Sequence, residues 1–127
     1  MSASLRLTSV TLGCPDPAVL AGFYTHLLGA ELSASEPGWS QIRTPTDESG
    51  RGGLTLNFEL EQCWTPPVWP AVEGKQFASQ HLDIWVDDLD EAVTRAQECG
   101  ARLADHQALS QVRGMFDPAG HPFCLFT

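Results

Sequence analysis

The sequence predicts an α+β fold made of two tandem βαβββ modules, in which an eight-stranded curved sheet lines a cleft and two helices lie outside. A strand, a helix and a glycine stop occur twice, starting at Ser9 and again 72 positions later at His81. Each copy is followed by further stretches in which apolar and polar residues alternate, as in half-buried strands. Duplication of such a unit across 127 residues fits one domain with a real core.

Residues 81–103 form the clearer copy of this unit. Apolar and polar residues alternate over residues 81–86, which predicts a strand. Asp88 is a good N-cap residue, and Glu91 completes a capping-box pattern, so we expect a helix to begin there. That helix carries an apolar stripe and ends at Gly100, the residue type favoured where the chain leaves a helix in a left-handed conformation.

The first copy has the same order of elements. Residues 5–13 alternate, and Asp16 followed by Pro17 predicts an N-cap with proline in the first helical position. The predicted helix runs over residues 17–28, with an apolar stripe, and Gly29 ends it. The sequence predicts a first module of about residues 5–61, a connection of about 62–78 and a second module of about 79–127, together one domain over 1–127.

The remaining strands are predicted by alternation between turn residues, at residues 31–34, 39–44 and 54–61 and, in the second module, at 102–104, 110–116 and 123–126. Residues 45–53 are a polar, glycine-rich loop. The connection is expected to be irregular because its prolines exclude both a helix and a central strand. A connection of this length in a small domain is often functional.

Composition limits the classes of partner. The chain carries 16 acidic and 7 basic residues, for a net charge of −9, which argues against binding nucleic acid or anionic membranes. No apolar stretch approaches a membrane span, and no signal peptide is evident, so we expect a cytoplasmic protein. The four cysteines show no CxxC pairing and are expected to be free thiols.

The position of each side chain along its strand predicts which residues face the cleft. If each helix covers one face of its own sheet, the opposite faces are left to bind a small molecule. A polar surface with aromatic residues at its margin is more typical of a ligand site than of a second core. The predicted ligand-binding residues are Ser9, Thr11, Trp39, Asn57, Asp83, Trp85, Cys124 and Phe126.

Trp64 and Trp69 lie in the proline-rich connection, which can fold over the mouth of the cleft. Aromatic walls of this kind suit flat or cationic ligands, through stacking and cation–π contacts. The same two residues can instead fill the edge of the core or a dimer interface. The sequence leaves both interpretations open.

The paired units, the segment HLDIWVDDLDEA and the terminal DPAGHPFCLF resemble the vicinal oxygen chelate superfamily, in its glyoxalase-like branch. That superfamily contains glyoxalase I, bleomycin-resistance proteins and extradiol dioxygenases. The resemblance implies a homodimer, as in many relatives, and a divalent metal held by one residue from each of four strands. The corresponding positions here are Ser9, Glu59, His81 and Cys124. Since a serine hydroxyl is a poor ligand, the candidate metal ligands are Glu59, His81 and Cys124, for Zn, Ni, Fe or Mn.

Two functional hypotheses follow from this resemblance. In the first, the protein binds a small aromatic or cationic molecule, and its metal site is degraded. In the second, it is a metal-dependent lyase, isomerase or dioxygenase in which Glu59 and His81 are catalytic and Glu59 moves a proton next to a carbonyl. A partner-binding domain without any ligand is a third interpretation, and whether a metal binds at all stays open.

Each candidate also has a simpler interpretation. His81 can be a polar residue that opens a strand, and Glu59 a solvated carboxylate. Cys124 can be a buried packing residue. His121, in the turn that precedes the last strand, is expected to be structural, with Asp117 organising the turn.

Overall fold

The computed structural model describes residues 3–51 and 53–127. The chain divides into two compact units, the first ending at Glu61 and the second beginning at Gln62. Each unit contains one helix and one four-stranded mixed sheet in the order β-α-β-β-β, which confirms the predicted α+β class and its two modules. No helix in these two ranges is long and apolar enough to cross a membrane.

The first unit has the strand order β1-β4-β3-β2, with β1 parallel to β4 and the other pairs antiparallel. A parallel pair needs a long crossover, and the helix together with β2 and β3 provides it. Its elements are β1 (Ser9–Cys14), α1 (Pro17–Leu28), β2 (Glu31–Glu36), β3 (Trp39–Arg43) and β4 (Thr55–Leu60). The first strand begins later than predicted, because β1 pairs with β4 only from Ser9 onward.

The second unit repeats this topology, with the order β5-β8-β7-β6 and β5 parallel to β8. The register places Asp83 opposite Cys124, and Cys124 opposite Gly114. The side chains of Asp83 and Cys124 therefore lie on one face of the sheet, and Gly114, which has no side chain, lies beside Cys124 on that face. Its elements are β5 (Leu82–Trp85), α2 (Leu89–Cys99), β6 (Arg102–Leu103), β7 (Val112–Phe116) and β8 (Pro122–Phe126).

The predicted helix ends are confirmed. The Asp16 carboxylate accepts a hydrogen bond from the Val19 backbone N–H at 3.3 Å, and Asp88 accepts one from the Glu91 N–H at 3.0 Å. Gly29 and Gly100 follow α1 and α2 with φ angles of 65° and 118°, which only glycine adopts without strain.

Each helix covers one face of its sheet. In the first unit, Tyr24 of α1 stacks on Phe58 of β4 with ring centroids 5.8 Å apart, and both side chains are fully buried. In the second unit, Met115 and Phe123 pair in register and are also fully buried. Burying an apolar side chain of this size contributes about 1.5–3 kcal/mol, so these faces hold the elements together.

The connection packs against its own unit. The Trp64 indole N–H donates to the Ala119 carbonyl at 3.0 Å, and its ring lies 4.8 Å from the His121 ring. The buried Asp117 carboxylate accepts hydrogen bonds from the backbone N–H groups of Ala119 and His121 at 2.9 and 3.0 Å. The expectation that Asp117 organises this turn is confirmed.

All four cysteines are free thiols, as predicted. Cys14 and Cys124 are buried, Cys99 is half-buried and Cys63 is exposed. Their reactivity with alkylating reagents should therefore differ.

Substituting two glycines should change stability in opposite directions. Gly100→Ala should lower the free energy of unfolding by about 1–3 kcal/mol, because a side chain at this left-handed position is strained. Gly22→Ala should raise it by up to about 1 kcal/mol, because an added Cβ inside α1 meets no atom within 4 Å and alanine favours helix. Urea unfolding measures both changes. An unchanged midpoint for Gly100→Ala would contradict the strained helix stop.

Candidate functional site

A ladder of polar side chains crosses the first sheet from β2 to β1. The Ser33 hydroxyl donates to Gln41 Oε1 at 3.0 Å, and Gln41 Nε2 donates to Asn57 Oδ1 at 2.8 Å. Asn57 Nδ2 then donates to the Thr11 hydroxyl at 3.2 Å. The sequence predicted Thr11 and Asn57 on this polar face. It missed Ser33 and Gln41, although Gln41 alternates with the buried Ile42 and could have been assigned in the same way.

The other candidates of the first unit lie on the same face of the sheet. Ser9 pairs in register with Thr55, and Trp39 pairs with Glu59. The Glu59 side chain is exposed, whereas Ser9 and Trp39 are half-buried. The first unit therefore presents a polar surface with one aromatic side chain at its end.

Three side chains that can bind a metal converge in the second unit. His81, immediately before β5, Asp83 in β5 and Cys124 in β8 bring one ligand atom each to within 4.8 Å of one another. His81 Nδ1 lies 3.1 Å from Asp83 Oδ1. Two predicted ligands, His81 and Cys124, thus come together with Asp83, whereas Glu59 belongs to the first unit. The His-x-Asp spacing on one strand face is the pattern that could have identified Asp83 as a third ligand.

The chemistry of this donor set fits a borderline metal ion. Imidazole, carboxylate and thiolate are the ligand types of zinc sites, and a thiolate favours Zn, Ni or Fe over the harder Mn. Ligand atoms of a tetrahedral zinc site lie about 3.5 Å apart, so the three groups need only a modest contraction to hold an ion. We call His81, Asp83 and Cys124 the His-Asp-Cys group.

Without an ion, the thiol of this group stays protonated. Burial raises the pKa of the Cys124 thiol above its ordinary value, and the neighbouring Asp83 carboxylate raises it further. Both causes disfavour the thiolate, which is the form that attacks electrophiles and binds metals. A metal at this position would therefore compete with a proton and bind better as the pH rises.

Asp83→Asn should lower the pKa of the Cys124 thiol, because it removes the neighbouring negative charge and leaves only burial to raise the pKa. In a Cys63→Ser background, the pH profile of Cys124 alkylation by iodoacetamide, followed by mass spectrometry, should shift to lower pH. Asp87→Asn removes an exposed carboxylate nearby in the chain and should leave the profile in place. An unchanged profile in Asp83→Asn would mean that burial alone raises the pKa.

A cavity of about 360 Å³ lies on the second unit, between the connection and the sheet. The Trp69 ring seats directly on Gly114, where an added Cβ would come within 2.8 Å of the indole. The ring also meets Phe116 edge-on, with centroids 6.1 Å apart. We call this space the Trp69 cavity; its lining includes Pro66, Trp69, Arg102, Asp105, His106 and Phe116.

The Trp69 cavity and the His-Asp-Cys group occupy the same face of the second sheet. Gly114 is the register neighbour of Cys124, and Phe116 follows two residues later on that face. Trp85 lies two residues from Asp83 on β5 and is 66% exposed, whereas Phe126 is half-buried. Trp69, for which the sequence left a place over a ligand site and a place in the core edge or a dimer interface equally open, covers part of this face.

The sequence did not single out the charged lining of the cavity. Arg102 is the first residue of β6, and Asp105 and His106 follow that strand within three residues. The Arg102 guanidinium carbon lies 4.5 Å above the centroid of the Phe116 ring. No local pattern marks these residues, because the connection that completes the cavity is distant in sequence.

Comparison with known proteins places nearly all of the chain in one family. Residues 9–126 match the family described as Glyoxalase-like domain. Three solved structures share the fold at low sequence identity. The first is a point mutant of the fosfomycin resistance protein FosX from Listeria monocytogenes, in complex with Mn(II) and 1S,2S-dihydroxypropylphosphonic acid. It is 15% identical, with 99% of this chain and 90% of that chain covered and a TM-score of 0.67.

The second is a glyoxalase/bleomycin resistance protein/dioxygenase family enzyme from Burkholderia phytofirmans PsJN. It is 16% identical, the alignment covers 95% of this chain and 97% of that chain, and the TM-score is 0.68. The third is a possible glyoxalase from Bacillus cereus. It is 12% identical, the alignment covers 98% of this chain and 100% of that chain, and the TM-score is 0.68. Curated proteins give no match by sequence. At these identities the likeness establishes the fold, and function has to be argued from the site.

Proposed function

The chain belongs to the glyoxalase-like domain family of the vicinal oxygen chelate superfamily, and on that premise we propose that it binds a small aromatic or cationic molecule on the polar face of its second sheet. The Trp69 cavity carries this proposal. Its volume of about 360 Å³ lies within the range of about 300–1,000 Å³ typical of ligand pockets. Its walls combine aromatic rings with a few polar groups, which is the usual composition of such sites.

The remainder of this face supports a ligand with cationic character. Asp83 and Trp85 point to the same side of β5, and both are exposed. An aromatic surface beside a carboxylate attracts organic cations by cation–π and ionic contacts. The net charge of −9 adds a negative potential at longer range, which also attracts cations.

Proteins of the same fold give independent support. The FosX structure holds Mn(II) and a small organic phosphonate, 1S,2S-dihydroxypropylphosphonic acid. The scaffold can therefore carry a small-molecule site, although it hosts several chemistries and does not identify the ligand.

Trp69→Leu should weaken binding of an aromatic ligand about two- to tenfold, because stacking on an aromatic ring contributes about 0.5–1.5 kcal/mol beyond the area it buries. Calorimetry with a panel of neutral, cationic and anionic aromatic compounds first identifies a compound that binds the wild-type protein. The same method then measures how much Trp69→Leu lowers the affinity for that compound. Trp64→Phe is the matched control, since it keeps a ring against His121 and lies outside the cavity lining. If no compound of the panel bound the wild-type protein, the proposal would be wrong.

A metal-dependent lyase, isomerase or dioxygenase is the second candidate, and the His-Asp-Cys group favours it. In this case His81, Asp83 and Cys124 would hold the ion, which supplies Lewis-acid polarisation of substrate oxygens. The exposed Glu59 remains the predicted base, and its role is a separate prediction because it lies in the first unit.

The second candidate predicts close to one metal ion per chain after dialysis against Zn²⁺ or Co²⁺. Cobalt bound through Cys124 should give a thiolate charge-transfer band that is lost in Cys124→Ser. His81→Ala should abolish uptake, because it removes the imidazole ligand. Cys99→Ser is the matched control, since Cys99 lies on α2 away from the group. Equal metal content in wild type and His81→Ala would reject this candidate.

We further propose a homodimer in the cytoplasm. The four free thiols support a reducing compartment, where disulfides are rare. Light scattering across a concentration series measures the molar mass of the particle in solution. The mass of a single chain, 13.8 kDa, at every concentration would contradict the dimer.

A further inference from the structure

We propose that the Trp69 cavity selects aromatic carboxylates that also carry a hydrogen-bond donor, with Arg102 binding the carboxylate and Asp105 the donor. This inference rests on the proposed function and develops its aromatic alternative for the Trp69 cavity itself, whereas Asp83 and Trp85, which favour a cation, lie on β5 outside the cavity lining. It adds a charge requirement that an aromatic pocket alone does not impose.

Arg102 is the main observation. Its guanidinium lies over the Phe116 ring, with Cζ 4.5 Å from the centroid, and it makes no ion pair or side-chain hydrogen bond with any residue of ranges 3–51 and 53–127. A contact with an aromatic ring does not satisfy the guanidinium N–H donors, which therefore stay available for a planar carboxylate. In a chain with 16 acidic residues, an arginine that lines a cavity without an acidic partner is suited to an anion from outside.

Asp105 and His106 define the rest of the ligand. Both line the cavity, and neither makes a side-chain hydrogen bond within the described part of the chain. An ionised Asp105 only accepts hydrogen bonds and repels a second anion, so it favours a hydroxyl or amino group there. His106 can donate or accept, and its ring meets Trp69 with centroids 6.4 Å apart. A ligand with one acid and one donor matches Arg102 and Asp105 together.

The aromatic walls require a flat molecule. Trp69 and Phe116 meet at an interplanar angle of 77°, so a ligand ring stacked on Trp69 can turn its edge toward Phe116, whose face is in contact with Arg102. Seating on Gly114 holds Trp69 in place, since any Cβ at position 114 would collide with the indole. A cavity of about 360 Å³ is near the lower end of the usual range, which favours ligands with one or two rings.

The test compares three probes by calorimetry on the full-length protein: 4-hydroxybenzoate, its neutral analogue 4-hydroxybenzamide, and benzyltrimethylammonium as a cation. We expect 4-hydroxybenzoate to bind at least about tenfold tighter than the amide, because a hydrogen bond to a charged group is considerably stronger than a neutral one. Arg102→Gln should reduce this preference to about twofold or less. Arg95→Gln removes the same charge from α2, outside the cavity lining, and should keep the wild-type preference.

A second variant tests the donor requirement and does not depend on Arg102. Asp105→Asn should raise the affinity for unsubstituted benzoate, because it removes a repelling carboxylate, and should reduce the advantage of the 4-hydroxyl group. Asp105 is exposed and makes no hydrogen bond through its side chain within the described residues, so the variant should fold normally. Thermal unfolding of each variant checks this.

Each outcome separates the inference from the proposed function. Equal affinity for acid and amide, a preference that survives Arg102→Gln, or binding of the cation alone would overturn the inference and leave the proposed function standing. Failure of all three probes and of the wider aromatic panel would reject both.

Discussion

The structure depends on one constraint: each four-stranded sheet has a single helix, so only one of its faces is buried by helix packing. Side chains alternate along a strand. Asn57, between the buried Leu56 and Phe58, therefore lies on the other face of the first sheet, and the residues on either side of Ile84 lie on the corresponding face of the second. That face carries the polar ladder in the first unit and the His-Asp-Cys group in the second. The candidate residues within the strands therefore owe their positions to strand register.

This constraint explains which features were predictable from sequence. Helix ends follow from local chemistry at Asp16, Asp88, Gly29 and Gly100, and the structure confirms all four. Alternation assigned Thr11 and Asn57 to the same kind of polar face, and in the structure a hydrogen bond joins them on one face of the first sheet. Local propensity and a two-residue period suffice for such features, since both act over a few residues.

The remaining features arise from contacts that no period encodes. The seating of Trp69 on Gly114 joins positions 45 residues apart, and it turns an irregular, proline-rich connection into a cavity wall. Arg102 gains its place only because Phe116 lies opposite it in register. Glu59 was assigned by resemblance to relatives, and the grouping of His81 with Asp83 and Cys124 comes instead from pairing inside one unit.

The ladder on the first sheet has a direction. Each amide donates toward β1 and accepts from the β2 side, so Gln41 and Asn57 are linked in series rather than side by side. Turning over one amide alone would place two acceptors or two donors against each other between Gln41 and Asn57, whereas the hydroxyls of Ser33 and Thr11 can donate or accept. The two amides must therefore reverse together. The Thr11 hydroxyl accepts from Asn57 and keeps its own proton, which it can donate at the β1 edge of the sheet.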